Sequence, residues 1–78
     1  GGIEYSTQGG PVVFAENFKL VGDLFAVGVN AYDGDWNIGE QVVIKQNDVV
    51  TAVGIAKMNP EEMISMNRGI AVEVRHHA

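Results

Sequence analysis

Seventy-eight residues at 8.4 kDa leave room for one small domain. With 46% hydrophobic and 19% charged residues the chain is globular rather than a disordered tail, and its apolar runs are far short of the roughly 20 residues that span a bilayer. The absence of cysteine excludes disulfides, thiolate metal sites and a thiol nucleophile, which fits a reducing, cytoplasmic setting; a formal charge of −5 excludes a duplex binder that works by bulk charge.

Residues 1–10 lie between Gly-Gly pairs, with Ile3, Tyr5 and Thr7 alternating against Glu4, Ser6 and Gln8, the pattern of a short edge strand or linker. The chain opens without Met, which suggests a fragment of a longer polypeptide. After Pro11, Val12-Val13-Phe14 reads as a buried strand. Residues 15–21 are compatible with a short helix or a turn that packs Phe18 and Val21, ended by Gly22. Leu24 to Asn30 is an apolar loop or strand interrupted by Gly28, and Asn30 to Gly39 is turn chemistry around Trp36, a candidate lid on the core.

Gln41 to Lys45 alternates as a strand, with Val42 and Ile44 facing one way and Gln41, Val43 and Lys45 the other. Asn47-Asp48 is suited to the centre of a tight hairpin turn because both residues tolerate positive φ. Val49 to Met58 is the returning strand. The spacing then predicts a helix over 60–67. Asn59 is the N-cap, Pro60 the first turn, Glu62 the N3 partner of a capping box, Met63 and Met66 share a face, and Gly69 is the stop. A last strand runs from Ile70 to His76, with Ile70, Val72, Val74 and His76 inward and Ala71, Glu73 and Arg75 outward; His77 is expected to fray.

The chain carries little that resembles catalysis. Ser6 and Ser65 have no base tied to them, so a serine nucleophile is not supported. Asp33-Gly34-Asp35-Trp36-Asn37 has oxygen ligands at alternate positions, as a calcium loop does. The pattern then fails, because Ile38 replaces the required glycine and Ile44 the bidentate glutamate. No metal or other cofactor is expected. His76 and His77 are adjacent on a strand and so point to opposite faces, which is poor geometry for one ion. Gly22 to Gly28 matches neither a P-loop nor a dinucleotide fingerprint.

Charge is unevenly distributed. Glu4, Glu16, Asp23, Asp33, Asp35, Glu40 and Asp48 precede residue 50 against Lys19 and Lys45, whereas Lys57, Arg68 and Arg75 balance Glu61, Glu62 and Glu73 later. The later bases sit at the ends of elements that must be neighbours. They suffice for a few phosphates and no more.

Three stretches carry a resemblance. Val49-Val50-Thr51-Ala52-Val53-Gly54-Ile55-Ala56, the Asn-Pro-Glu-Glu-Met helix start, and Arg68-Gly69-Ile70-Ala71-Val72-Glu73-Val74-Arg75-His76 together resemble the archaeal-type PUA domain, the RNA-binding module of pseudouridine synthases and archaeosine transglycosylases. Ile38-Gly39-Glu40-Gln41-Val42 looks like that family's Gly-Asp-x-Val strand start, with Glu40 for Asp. Gly22 to Val29 looks like its glycine segment after the first helix. The resemblance implies a mainly β pseudobarrel of about six strands with two short helices over residues 11–78.

It also implies an RNA-binding face. The glycine segment supplies Gly22, Leu24, Phe25, Ala26, Gly28 and Val29, the last strand Arg75 and His76, and Lys57 and Arg68 lie nearby; Val27 and Asp23 depart from the pattern. The expected role is a non-catalytic module that positions tRNA or another structured RNA for a modification enzyme or ribonucleoprotein, with a catalytic domain in cis as a further partner that the resemblance implies. The alternative is an architectural domain that packs on a catalytic partner without touching RNA.

Overall fold

The computed structural model describes residues 11–78; the strand or linker expected over residues 1–10 lies outside them. Six strands form one curled sheet: β1 (Val12–Ala15), β2 (Leu24–Phe25), β3 (Val29–Asp33), β4 (Gln41–Gln46), β5 (Val49–Ala56) and β6 (Ile70–His77), with one helix, α1 (Pro60–Met66), between the last two. Their order across the sheet is β2-β6-β5-β4-β1-β3. The β1–β4 pair is parallel and the other neighbours are antiparallel. The expected mainly β pseudobarrel is therefore the fold. Its second helical element is a single 3-10 turn at Ala26–Gly28 rather than a helix.

The β4–β5 hairpin forms for the reason its turn residues give. Asn47 and Asp48 sit at φ 53° and 65°, the paired left-handed geometry of a type I′ turn, whose twist matches that of the strands it joins. Val42, Ile44 and Gln46 point inward from β4, and Ala52, Gly54 and Ala56 from β5. Three small residues in a row on β5 let β6 approach closely. At Gly54 a Cβ would run into the Glu73 carbonyl oxygen and come within 2.8 Å of Val72 Cγ1. The close approach of β6 to β5 at this point depends on that vacancy.

Helix α1 starts as the capping pattern predicts. Asn59 Oδ1 accepts from Glu62 N (2.8 Å) and Glu62 Oε1 from Asn59 N (3.1 Å). Asn67, at φ 57°, supplies the left-handed C-cap two residues before the expected Gly69. Met63 enters the core, whereas Met66 is exposed, so the two methionines do not share a buried face. Trp36 is 3% exposed and closes one end of the core, its Nε1 donating to Met58 O (2.8 Å) and its ring meeting Tyr32 edge-on at 5.6 Å.

Two expectations need correction. Of the helix or turn expected over residues 15–21, the turn forms, as a bend at residues 17–18, but Phe18 and Val21 are exposed rather than packed away. Gln46 explains the first point: its buried Nε2 donates to both Glu16 O and Phe18 O (2.8 Å each), holding those carbonyls in a bend where no helix can use them. Likewise the turn region begins later than expected, because Asn30 to Asp33 belong to β3, in which Ala31, Tyr32 and Asp33 pair with β1.

The second correction concerns β6. Val53 pairs with His76 and Gly54 with Val74, leaving Arg75 as the extra residue of a β-bulge. One extra residue shifts the alternation, so His76 leaves the inward register expected for it and is exposed. At the other end Ala71 is buried and Ile70 exposed, again opposite to the simple alternation, where the β2–β6 register slips between Leu24 and Phe25. His77 pairs with Ala52 rather than fraying. No helix among the described residues is long and apolar enough to cross a membrane.

Candidate nucleic-acid interface

Among the described residues strand β2, two residues long, lies at the edge of the sheet with β6 as its one strand neighbour, Leu24 opposite Val72 and Phe25 opposite Ile70. Ala26 N extends the contact by donating to Gly69 O (2.8 Å), and Asp23 Oδ1 accepts from Val74 N (3.1 Å). The glycine segment and the closing strand are thus joined from Asp23 to Ala26 on one side and from Gly69 to Val74 on the other. The two stretches form one edge of the molecule.

Within that edge the individual residues differ in what they can present. Leu24 and Ala26 are buried in the core and Val29 packs against it, so their side chains are scaffold. Phe25 is 52% exposed. Gly22 adopts φ 73°, a conformation that glycine reaches without strain, with open space where a side chain would stand. Gly28 is needed for a different reason. A Cβ there would lie 3.0 Å from Phe18 Cε2, so its absence makes room for the Phe18 ring.

That ring belongs to a feature the sequence reading missed. Phe18, Lys19, Val21, Asp23, Phe25 and Val27 line a mainly apolar hollow of about 240 Å³, with Phe18 itself 42% exposed. The signal was the run Phe18-Lys19-Leu20-Val21, which has too little polar periodicity for the amphipathic helix considered there. Aromatic faces beside a lysine are surfaces on which nucleobases can stack.

The four basic candidates fall into two groups. Lys57, whose N–H donates to Ala71 O, and Arg68, next to Gly69, are exposed near the start of β6. Arg75 and His76 are exposed near its end. Arg75 lies roughly 16 Å of strand beyond Ile70, where β6 begins. Among the described residues one ion pair forms, Arg75 to Glu73 at 3.8 Å, long and solvated enough to leave the guanidinium available.

Carboxylates gather elsewhere. A cleft of about 470 Å³ is lined by Tyr32, Asp35, Trp36, Asn37, Asn59 and Glu61 among others, with no basic side chain on its walls. Asp35 Oδ1 accepts from Trp36 N (2.9 Å) and Glu40 Oε1 from Asn37 N (3.0 Å), so the loop that resembled a calcium site is a hydrogen-bonded turn. No group of three His, Asp or Glu side chains that could hold a metal occurs among the described residues. Phosphate would be repelled from that side.

Comparisons with known proteins agree with this geometry. The family model of the PUA domain matches residues 14–78. Over 59 residues the chain is 41% identical to archaeosine synthase subunit alpha of Thermococcus kodakarensis, covering 76% of this chain and 10% of that protein. Among solved structures, NSun6 from Pyrococcus horikoshii superposes with a TM-score of 0.75 at 34% identity, over 82% of this chain and 18% of that one. An H/ACA ribonucleoprotein bound to a substrate RNA superposes at 0.80 with 27% identity, over 86% of this chain and 23% of its own. The chain spans about a tenth of the length of the archaeosine synthase subunits it matches.

Proposed function

The chain belongs to the PUA domain family, and on that premise we propose that it is a non-catalytic RNA-binding module that positions tRNA, or another structured RNA, for a modification enzyme or ribonucleoprotein. The observation that carries this reading is the segregation of the surface. The edge built from residues 18–28 and the closing strand presents Phe18, Lys19, Phe25 and Arg68, its carboxylate Asp23 being engaged by Val74 N–H, while Asp35 and Glu61 line the acidic cleft without a basic side chain beside them. A molecule with net charge −5 can approach a polyanion only through such an edge.

Recognition then works through shape and backbone. A-form RNA hides its base edges in a deep groove, so contacts go to phosphates, ribose hydroxyls and any unstacked base. Lys57, Arg68 and Arg75 supply charge-assisted contacts at both ends of β6. The open backbone at Gly22 lets a phosphate approach without meeting a Cβ, and Phe18 and Phe25 offer stacking surfaces. Leu24, Ala26 and Val29 hold the segment from beneath. Residues of a longer chain, or a separate subunit, would supply the chemistry.

Anisotropy titration of labelled tRNA at two salt concentrations tests the proposal. Neutralising two to four phosphates makes log affinity fall with log salt at a slope of about −2 to −4. A flat response, or no binding at millimolar RNA, removes it. The competing architectural role draws on the acidic cleft beside Tyr32 and Trp36, which suits a basic protein surface. Amide-shift changes confined to that cleft, with none at residues 22–29 or 68–76, would favour it.

A further inference from the structure

The outer face of the sheet holds a second constellation, created by the bulge in β6. Two cross-strand rows run over this face, Gln41–Ile55–Glu73 and Val43–Val53–His76. Arg75 is inserted between the β6 ends of the rows, with no residue opposite it. On an unbroken strand Arg75 and His76 would point to opposite faces. The bulge removes that alternation, and both line one depression of about 190 Å³ together with Gln41, Val53, Gly54 and Ile55.

Its chemistry is specific in kind. Val53 and Ile55, half-buried, provide an apolar floor. The Gln41 amide both donates and accepts in one plane, as the edge of a nucleobase does. Arg75 and His76 contribute nitrogen donors at the rim. At about 190 Å³ the hollow is smaller than the roughly 300–1,000 Å³ of pockets for drug-sized ligands, a scale that suits a single base. Against it stands the Glu73 carboxylate, 3.8 Å from the Arg75 guanidinium.

We infer that this depression receives a single unpaired ribonucleotide of the bound RNA, its base over Val53 and Ile55, its edge at Gln41 and its phosphate at Arg75 and His76. The inference rests on the RNA-binding reading and adds a place where an unstacked nucleotide is held, across β6 from the glycine segment.

Amide-resolved NMR titration of the 78-residue chain tests it with three probes: an unstructured pentaribonucleotide, a blunt fully paired RNA duplex, and a free ribonucleoside monophosphate. The pentanucleotide is expected to shift the Gln41 side-chain amide and the backbone amides of Ile55 and His76. The duplex should shift residues 22–28 and Arg68 and leave those three unmoved. Arg75→Ala should weaken pentanucleotide binding about fivefold, and Glu73→Gln, which frees the guanidinium, should tighten it about twofold. Shifts at 22–28 without any at Gln41, Ile55 and His76 would overturn this subsite and leave the RNA reading standing. Silence with both RNAs would end both. Equal affinity for the free monophosphate would show that the hollow does not depend on an RNA chain, and would equally overturn the inference.

Discussion

Asp23 Oδ1 accepts a hydrogen bond from the backbone N–H of Val74 at 3.1 Å, across 51 positions of sequence. Strand β2 begins only at Leu24, so the carboxylate takes over as acceptor where the ladder has run out. A negative charge at an anion-binding edge looked unfavourable in the sequence. Its position shows a structural reason for it, since an edge N–H without a partner costs on the order of 1–3 kcal/mol when it is shielded from water.

The consequence is a separation of charge from shape. Asp23→Asn keeps an amide oxygen for Val74 and removes the charge. It should leave thermal stability within about 0.5 kcal/mol of the parent and raise RNA affinity two- to threefold at low salt. Asp23→Ala should cost about 1 kcal/mol and speed hydrogen exchange at Val74. Melting curves and amide exchange on the two variants distinguish these effects.

Gly54→Ala is expected to be among the most damaging single-atom changes in the chain. The added methyl meets the Glu73 carbonyl oxygen and sits 2.8 Å from Val72 Cγ1, so β6 must move away from β5. Such overpacking costs about 1–3 kcal/mol or somewhat more. Because β6 also carries β2 and the Arg75 bulge, RNA binding should fall together with stability. Denaturant unfolding checks the first and the same anisotropy titration the second.

Gln46 is 4% exposed and holds two carbonyls, those of Glu16 and Phe18. Gln46→Leu preserves bulk but takes the side-chain donor from Phe18 O and leaves Glu16 O with the Phe18 N–H alone, for an expected loss of about 1–2 kcal/mol. The bend at residues 16–18 should loosen first. Exchange of the Glu16 amide, which donates to Gly28 O, reports it, and loss of the Phe18 hollow should follow before global unfolding.

How far these features were legible depends on the range of the forces behind them. The β4–β5 turn and the start of α1 are local: Asn47-Asp48 fixes its own φ values, and Asn59 with Glu62 closes a capping box within four residues. Both could be read from the chain. The bulge at Arg75 could not, because it arises from how β6 settles on a strand more than 20 residues earlier and no dipeptide marks it. The same holds for residues 15–21. Their bend is imposed by Gln46, 28 to 30 positions away. Of the candidate face, the resemblance supplied the segment and the strand. Which side chains in it are scaffold and which are exposed followed only from burial.

The turn itself offers a stabilising change. Asp48 stands at φ 65°, where glycine is free of the Cβ penalty, so Asp48→Gly completes the favoured Asn-Gly type I′ pair. A gain of about 0.5 kcal/mol is expected, corresponding to a rise in Tm of roughly 2–4 °C for a domain of this size. The turn lies at the end of β4 and β5 away from the Gln41–Ile55 pair, so RNA affinity should change only through the lost charge.

The cation groups at the two ends of β6 give the last prediction, because they should contribute independently. Lys57 and Arg68 flank its start and Arg75 lies near its end, roughly 16 Å of strand beyond Ile70, which exceeds the ~8–10 Å Debye length near physiological salt. Each lysine or arginine that touches a phosphate adds about 0.9 to the magnitude of the salt slope. Arg68→Gln and Arg75→Gln should therefore each reduce the slope by about 1, and the double variant by about 2, with affinity losses that add. Slopes measured across 50–200 mM salt separate this from a single clustered site, in which removing either arginine would abolish most of the salt dependence at once.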